Sequence, residues 1–404
     1  MRIYPFQKIW VTLLSLSLGL QTASALAEEV RLDLEVAQPS ISLSWALSEA
    51  LRVNPEMLAA KKRAEAAGFR PRQVASLEAP EVSASFEDIP TADPGRAMEK
   101  TVTIGQRIPW PGKLFLRGKV AKKEALQAEA EYRVIERRLI SLVKKAYYEY
   151  FLIQKELDIH HAHELIEREM ARVAEVKYAT GQVGQQDVLK AQLEFHRLLN
   201  RILILKAQQE AVRAKLNALI NRAPEEPLGR AEAFTVPETL MPAPQLYQLA
   251  ETHSPEIFAA QVGVDRANLA KKLASLEWIP DFFLDVSPFS FDRGFTGWGL
   301  AGGLSIPFAL WSIQKVIGMI KEAKAEEEAS KASLAWSRRK VALAVKEARV
   351  RAESAQYLWN LYEKSIVPLS EEGFRATQRA YMTGQSDFLM LLDSQRTLLT
   401  SEIE

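Results

Sequence analysis

The same sequence pattern occurs twice in this chain, about 200 residues apart. "YATGQVGQQDVLKAQ" begins at Tyr178 and "YMTGQSDFLMLLDSQ" begins at Tyr381, so Gly181 and Gly384 occupy equivalent places. Three further pairs occur in the same order in both halves: "NPEMLAA" with "SPEIFAA", "SLEAPEVSASF" with "SLEWIPDFFLDV", and "GQRIPW" with "GLSIPF". A duplication on this scale predicts two copies of one structural unit, and any fold for this chain has to accommodate both.

The duplication and the N-terminus together divide the chain into four segments. Arg2 and Lys8 precede an apolar run at residues 9–20, and Ala-Leu-Ala at residues 25–27 supplies a cleavage site, which is the pattern of an export signal. We therefore expect a signal peptide at 1–27, a first repeat at 28–222, a linker at 223–244 and a second repeat at 245–404.

Each repeat has the pattern of a helix, two strands, a long helix, a break and a return helix. Residues 43–79 predict a helix that Pro80 ends. Residues 119–180 contain neither Gly nor Pro, and a helix of that length would measure roughly 90 Å. Short alternating runs predict strands at 81–86, 100–108, 281–290 and 297–306.

The other long helices follow the same plan. We expect a return helix at 185–223 and a second long helix at 319–383, which Pro368 kinks. We expect the counterpart of the return helix to be either truncated or short, because about twenty residues of it have no equivalent before Glu404. The first long helix has a narrow apolar stripe, typical of helices that pack side by side. Its members are Val143, Ala146, Tyr147, Tyr150, Ile153 and Leu157.

Composition excludes several classes of protein. The chain has no cysteine, which excludes disulfides, thiolate metal sites and a lipidated N-terminal cysteine. A net charge of +1 does not indicate the basic surface that a nucleic-acid-binding protein needs. Beyond the signal, no segment has the apolar length of a transmembrane helix. Motifs of hydrolases, zinc proteases and phosphate-binding loops are absent, so we do not expect an enzyme or a cofactor.

A resemblance to a known family depends on the duplication, the "NPE" and "SPE" helix starts, "QRIPWPGKL", and "YxTGQ" followed by "DVLKAQ" or "LLDSQ". In these features the chain resembles the TolC-type outer-membrane efflux proteins. The resemblance covers residues 42–404. It implies a mainly α protein with a membrane β-barrel contribution, built from long antiparallel helical hairpins. Each protomer would give four strands to a trimeric twelve-stranded barrel, and the helices would form a periplasmic α-helical tube. Many members carry a lipidated cysteine, which this chain lacks.

The resemblance also implies partners: two more copies in a homotrimer, outer-membrane lipid, a periplasmic membrane-fusion adaptor, and an inner-membrane pump of the RND type. The two glycine breaks would be hairpin tips that contact the adaptor. The alternative is a plain turn without a partner, since any helical hairpin needs a break. The tip residues are Gly181, Gln182, Val183, Gly184, Gly384, Gln385, Ser386 and Asp387.

A channel gate follows from the resemblance at Tyr381 and Asp393. Three facing carboxylates of Asp393 in a trimer would attract cations and repel one another. Met390 stands where an acid can be found in the family, and Ser386 where a base can sit, so the gate departs from the family pattern. Asp393 as a solvated helix residue is the alternative.

Two tryptophans and a histidine run complete the candidates. Trp110 and Trp298 suit a membrane interface, with local packing at a strand end as the alternative. His160, His161 and His163, in "HHAH", suggest a metal site, but we expect a solvated helix face and no metal.

The function expected from these features is a passive outer-membrane conduit of a tripartite efflux system, exporting small molecules or metal cations. The "IPWPGKL" junction is most similar to the heavy-metal cation branch, and drug efflux and protein secretion are the other readings within the family. A periplasmic coiled-coil adaptor or scaffold is the rival from another class, although it would leave the strands and the duplication unexplained.

Overall fold

The computed structural model describes residues 40–87, 89, 94, 97, 99–234, 240–291 and 296–404. The predicted signal peptide lies outside the described residues. The chain divides into two compact units, each of which contains segments of both repeats. We call them the helical unit (Met1–Arg52, Leu142–Thr235 and Val367–Glu404) and the sheet unit (Val53–Ser141 and Val236–Ile366).

The described residues form nine α-helices and four strands. None of the helices in the described ranges is both long and apolar enough to cross a lipid bilayer. In chain order the elements are α1 (Leu43–Val53), α2 (Pro55–Ala75), β1 (Glu81–Glu87), β2 (Glu99–Ile108), α3 (Pro111–Ala179), α4 (Gln185–Leu219), α5 (Ala243–His253), α6 (Pro255–Ser275), β3 (Phe282–Phe291), β4 (Thr296–Leu304), α7 (Leu310–Leu361), α8 (Val367–Met382) and α9 (Phe388–Ile403).

The sheet unit contains all four strands, in the order β1-β2-β3-β4, and every neighbouring pair is antiparallel. The four predicted strands are confirmed to within two residues at each end. The β2–β3 pairing joins the first repeat to the second, with Ile104 opposite Val286. Strands β1 and β4 are the outer strands, so each has one edge without a partner strand in this sheet.

The register gives the sheet one mainly apolar face and one more polar face, because side chains alternate along each strand. The more polar face also carries Phe283 and Phe289, which lie over Gly303 and Gly297. One row of aligned positions is Val82, Ile104, Val286 and Leu300, and the adjacent row is Ser83, Thr103, Ser287 and Gly299. The hydroxyl oxygens of Thr103 and Ser287 lie 3.0 Å apart, within hydrogen-bond distance. Several large apolar side chains of the first face are exposed in the single chain: Val82, Phe86, Val102, Ile104, Leu284, Trp298 and Leu300.

One prediction of helical structure is corrected at Asn54. The expected helix at 43–79 is two helices, because the Asn54 Oδ1 accepts hydrogen bonds from the backbone N–H groups of Glu56 and Met57, at 2.9 and 3.2 Å. Proline in the first position of α2 fits this N-cap. Ser254 caps α6 in the same way in the second repeat, so the "NPE" and "SPE" motifs start helices. α2 also ends at Ala75, before Pro80.

The long helices begin earlier than expected, and the second is interrupted near Pro368. α3 begins at Pro111 rather than 119, since proline at the first position of a helix costs no hydrogen bond. A π-helical turn, Tyr362–Ile366, separates α7 from α8 directly before Pro368. Proline has no N–H for the i−4 carbonyl, which accounts for an interruption at this place.

The helical unit buries the predicted stripe of α3. All six of its members are buried. The Tyr147 hydroxyl donates to the backbone carbonyl of Ile41 at 2.9 Å, and it lies 3.2 Å from the carbonyl of Glu232. The stripe is thus the inner face of α3 in this unit, as its spacing predicts.

Candidate functional site

The two glycine breaks have the same backbone geometry. The N–H of Gly181 donates to the carbonyl of Tyr178 at 2.9 Å, and the N–H of Gln182 donates to the carbonyl of Lys177 at 2.8 Å. This pair of hydrogen bonds is the Schellman motif, in which glycine occupies the left-handed position. The φ angle of Gly181 is 72°.

The second break repeats the motif in the second repeat. Gly384 has a φ angle of 76°. Its N–H donates to the carbonyl of Tyr381 at 3.2 Å, and that of Gln385 donates to the carbonyl of Ala380 at 2.8 Å. A Cβ at Gly181 or Gly384 would meet no atom within 4 Å. Positive φ, not lack of space, is therefore the reason for glycine at both breaks.

The turns differ in how the next helix begins. Gly184 precedes α4 and offers no side-chain cap. Asp387 caps α9, because its Oδ1 accepts the N–H of Met390 at 2.8 Å. The predicted tip residues are exposed except for Val183 and Ser386, which are half-buried. Both turns thus present open backbone and polar side chains in the single chain.

The two turns share an apolar core, formed by residues of α3, α4, α8 and α9. We call it the tip core: Met170, Ala174, Ala191, Phe374, Tyr381, Phe388, Leu391, Leu392 and Leu398. Lys177 joins the two turns, because its Nζ donates to the backbone carbonyl of Tyr381 and lies 4.1 Å from the centre of the Tyr381 ring. The sequence prediction missed Lys177, although a basic residue in the last turn of α3 was a visible signal.

The predicted gate residues have different surroundings within one chain. Tyr381 is buried, and burial, followed by the charge of Asp187, raises the pKa of its hydroxyl. That hydroxyl has no hydrogen-bond partner among the described residues, so it does not bond to Asp393. Asp393 is exposed on α9. The gate at Tyr381 and Asp393 therefore stays a prediction about the assembled protein.

The histidine run is not a solvated helix face, which corrects the prediction. His160 and His163 are 3% and 2% exposed, and only His161 is exposed, with its Nδ1 3.3 Å from Glu164 Oε2. His160 lies 3.7 Å from Glu156, and burial lowers its pKa. Within the described ranges, no group of three or more side chains of the types that bind metals is arranged to hold an ion.

His163 belongs to a buried polar layer, which also includes Glu167 and Gln395. The Gln395 Nε2 lies 3.2 Å from His163 Nδ1 and donates to Glu167 Oε1 at 2.9 Å. From the sequence, Gln395 was identified only as the counterpart of Gln192 in the repeat. That residue is exposed and bonds to Glu175, so the two copies of this glutamine have diverged.

The predicted interface tryptophans lie at different places in the sheet unit. Trp110, between β2 and α3, stacks on Phe282 with ring centres 6.1 Å apart, and its backbone N–H donates to Asp281 Oδ1 at 2.9 Å. Trp298 is 78% exposed on β4, opposite Pro288. Trp110 thus packs at a strand end, whereas Trp298 projects from the apolar face of the sheet.

A cavity of about 570 Å³ adjoins the polar face of the sheet. Glu81, Arg107 and Asp285 contribute charged groups to its lining. The Asp285 carboxylate lies over Gly105, where a Cβ would come within 2.7 Å of Oδ1. Glycine at 105 thus leaves room for a charged side chain on this face.

The turn geometry predicts opposite effects of alanine at two glycines of the helical unit. Gly384→Ala should destabilise the protein by about 1 kcal/mol, because alanine is strained at positive φ. Gly373→Ala should stabilise it by about 0.5 kcal/mol, because this glycine lies inside α8 with open space around its Cα. Thermal unfolding of the two purified variants tests this. Shifts of the same sign would contradict it.

Comparison with known proteins places these features in a family. Residues 46–222 and 246–404 match the family model described as outer membrane efflux protein. The cobalt-zinc-cadmium resistance protein CzcC of Cupriavidus metallidurans is 23% identical over 377 residues, which cover 91% of this chain and 86% of CzcC.

Solved structures have the same fold at low sequence identity. The outer membrane protein VceC of Vibrio cholerae superposes with a TM-score of 0.74 at 19% identity, over 89% of this chain and 90% of VceC. CusC, whose crystal structures concern transmembrane channel formation, superposes with a TM-score of 0.73 at 17% identity, over 91% of this chain and 88% of CusC.

Proposed function

We propose, since this chain belongs to the outer membrane efflux protein family, that three copies of it form the outer-membrane channel of a tripartite efflux system. The family match already establishes an outer-membrane efflux component. The trimer, the barrel, the partners and the substrate are parts of the proposal. No catalytic step forms part of the proposal, and transport through the channel is passive.

The exposed apolar face of the sheet is the observation that carries the proposal. Val82 and Leu300, on the two outer strands, are exposed on that face of the single chain. Apolar side chains on one face and polar ones on the other are the pattern of a strand between lipid and a water-filled lumen. The unpaired edges of β1 and β4 would be costly in lipid, so further copies have to pair with them. Three copies would give a closed barrel of twelve strands.

The two turns of the helical unit are the proposed contacts with a periplasmic adaptor. Gly181 and Gly384 shape two exposed turns with one backbone geometry, and a trimer would present six of them. An adaptor with repeated hairpin tips of its own would contact both kinds of turn through the same backbone geometry. An inner-membrane pump, of the RND type by family resemblance, would load the channel.

Metal cations are the proposed substrates. CzcC is named for resistance to cobalt, zinc and cadmium, and this chain covers most of its length. The polar face of the sheet carries Glu81 and Asp285 at directly aligned positions on either side of Gly105. In a trimer these would give six carboxylates at one level of the lumen, which would favour cations over anions.

Mass and conductance of the purified mature chain test the proposal. We expect a trimer in mild detergent, extracted from the outer-membrane fraction, and cation-selective conductance in planar bilayers from the reversal potential under a salt gradient. A water-soluble monomer or dimer from the periplasm would contradict the channel and favour the scaffold reading. Anion selectivity would contradict metal cations as substrates while leaving the channel intact.

Adjacent residues of β4 provide a matched test of the lipid-facing surface. Leu300→Arg should cost about 2 kcal/mol per protomer and reduce assembled trimer in the outer membrane by about tenfold. Ala301→Arg places the same side chain on the opposite, polar face, beside Asp285, and should assemble as the wild type does. Equal loss in both variants would contradict the assignment of faces.

A further inference from the structure

The buried face of α3 changes from apolar to polar in the middle of the helical unit. Ile153 and Leu157 continue the apolar stripe, and Met170 resumes it near the turns. Between them, His163 and Glu167 are buried on the same face. Polar residues at such positions cost stability and are kept where they specify register or act as switches. This polar layer therefore needs an explanation other than packing.

The hydrogen bonds of the layer leave two acceptors unsatisfied. The Gln395 Nε2 donates to Glu167 Oε1 and lies close to His163 Nδ1, and His163 Nε2 lies 2.9 Å from Glu402 Oε2. The second oxygens, Glu167 Oε2 and Gln395 Oε1, are buried without a hydrogen-bond partner among the described residues. A proton on the Glu167 carboxyl would supply the donor that this arrangement lacks.

The surroundings of Glu167 disfavour its charge. Burial raises its pKa to about 7, while the hydrogen bond from Gln395 lowers it. Glu194 on α4 raises the pKa further, and Arg396 on α9 lowers it. The charge of Arg396 is partly engaged elsewhere, because its guanidinium pairs with Glu194. The other titratable groups of the layer are His163 on α3 and Glu402 on α9, which pair with each other.

We propose that Glu167 and Gln395 form a proton-operated latch between α3 and α9, closed when Glu167 is neutral and loosened when it ionises. When Glu167 is neutral, rotation of the Gln395 amide lets the Glu167 O–H donate to Gln395 Oε1 in place of the present Nε2 hydrogen bond, and no charge remains in the interior. When Glu167 is ionised, a charge lies in the interior with a single hydrogen bond, and the contact between α3 and α9 weakens.

The direction of the pH effect follows from linkage. Because the folded-state pKa lies above the value of an unfolded glutamate, near 4.5, neutral Glu167 favours the folded contact. This contribution is fully present below about pH 4.5 and is lost as pH rises through about 7. In the channel, and so resting on the proposed function, the consequence is that the attachment of α9 depends on periplasmic pH. The Gly384 turn, which precedes α9, would depend on pH in the same way.

Hydrogen exchange of the full mature chain in detergent micelles tests the latch. After correction for intrinsic exchange, amides of α9 should exchange about tenfold faster at pH 8.5 than at pH 5.5. Amides of α6, in the sheet unit, should show no such change. Glu167→Gln should abolish the pH dependence in α9, because it keeps a neutral group of the same shape.

Glu169→Gln is the matched control, since Glu169 is an exposed acid of α3 that pairs with Arg172. It should retain the wild-type dependence. A flat wild-type profile, or a rise that persists in Glu167→Gln, would overturn the proposal. If Glu167→Gln fails to fold, infrared titration of the wild type decides instead, because a protonated carboxyl band has to disappear between these pH values. Conductance is not measured here, so failure of the latch and failure of the channel are separate results.

Discussion

Lys113→Met is expected to lower the free energy of unfolding of the sheet unit by about 3 kcal/mol. Lys113 lies in the first turn of α3 and is 2% exposed. Its Nζ lies 2.9 Å from Asp281 Oδ1 and 3.6 Å from Glu277 Oε2. Methionine has a similar length but no charge, so the partly buried carboxylate of Asp281 would lose its cation and keep the hydrogen bond from the Trp110 N–H.

Urea unfolding of the detergent-purified protein, followed by circular dichroism, measures this effect. Lys122→Met is the control, because Lys122 is an exposed lysine of the same helix. The double variant Lys113→Met, Asp281→Asn should recover part of the loss, since it removes the charge that Lys113→Met leaves unpaired. If Lys113→Met and Lys122→Met unfold alike, the buried lysine does not stabilise this junction.

The ion pair matters because it joins the two repeats where strand and helix meet. Asp281 precedes β3, and its backbone N–H donates to the hydroxyl oxygen of Ser305 at 3.0 Å. Trp110 and Lys113 belong to the first repeat, and Asp281 and Ser305 to the second. A single carboxylate thus connects the start of α3 with the start of β3.

Local patterns were sufficient to predict much of the fold. The four strands follow from alternation, because side chains of a strand with one apolar face have period two. The turns at Gly181 and Gly384 follow from duplicated glycines, since positive φ is a local requirement. The break at Asn54 was missed because good helix formers surround it, and the cap that Asn54 provides outweighs their propensity.

Contacts between distant segments could not be predicted in this way. His163 and Gln395 are 232 positions apart. Leu391, Leu392 and Leu398 flank Gln395 at helical spacing, but this local pattern does not identify the distant residue that Gln395 contacts. The spacing of His160, His163 and Glu167 does continue the stripe of α3, but polar side chains at such positions look like a solvated face. Asp281 is also far from Lys113 in the sequence, so "PWPGK" predicted the junction but not its partner.

Phe388→Ala is expected to be the most damaging single truncation in the helical unit, at about 4 kcal/mol. Phe388 is the first residue of α9, is 1% exposed, and packs with its ring centre 5.7 Å from that of Tyr381. Alanine there would leave a cavity directly beneath both turns, because the tip core receives residues from α3, α4, α8 and α9. The turn around Gly384 should lose order first.

Leu389→Ala separates this effect from a general loss of helix stability. Leu389 is the next residue of α9 and is 52% exposed, so its truncation should cost less than about 1 kcal/mol. Urea unfolding gives both values, and hydrogen exchange of residues 380–390 reports the local loosening. A small effect at Phe388 together with a large one at Leu389 would mean that the exposed side of α9 contributes the stability, as it would where a neighbouring copy packs against it.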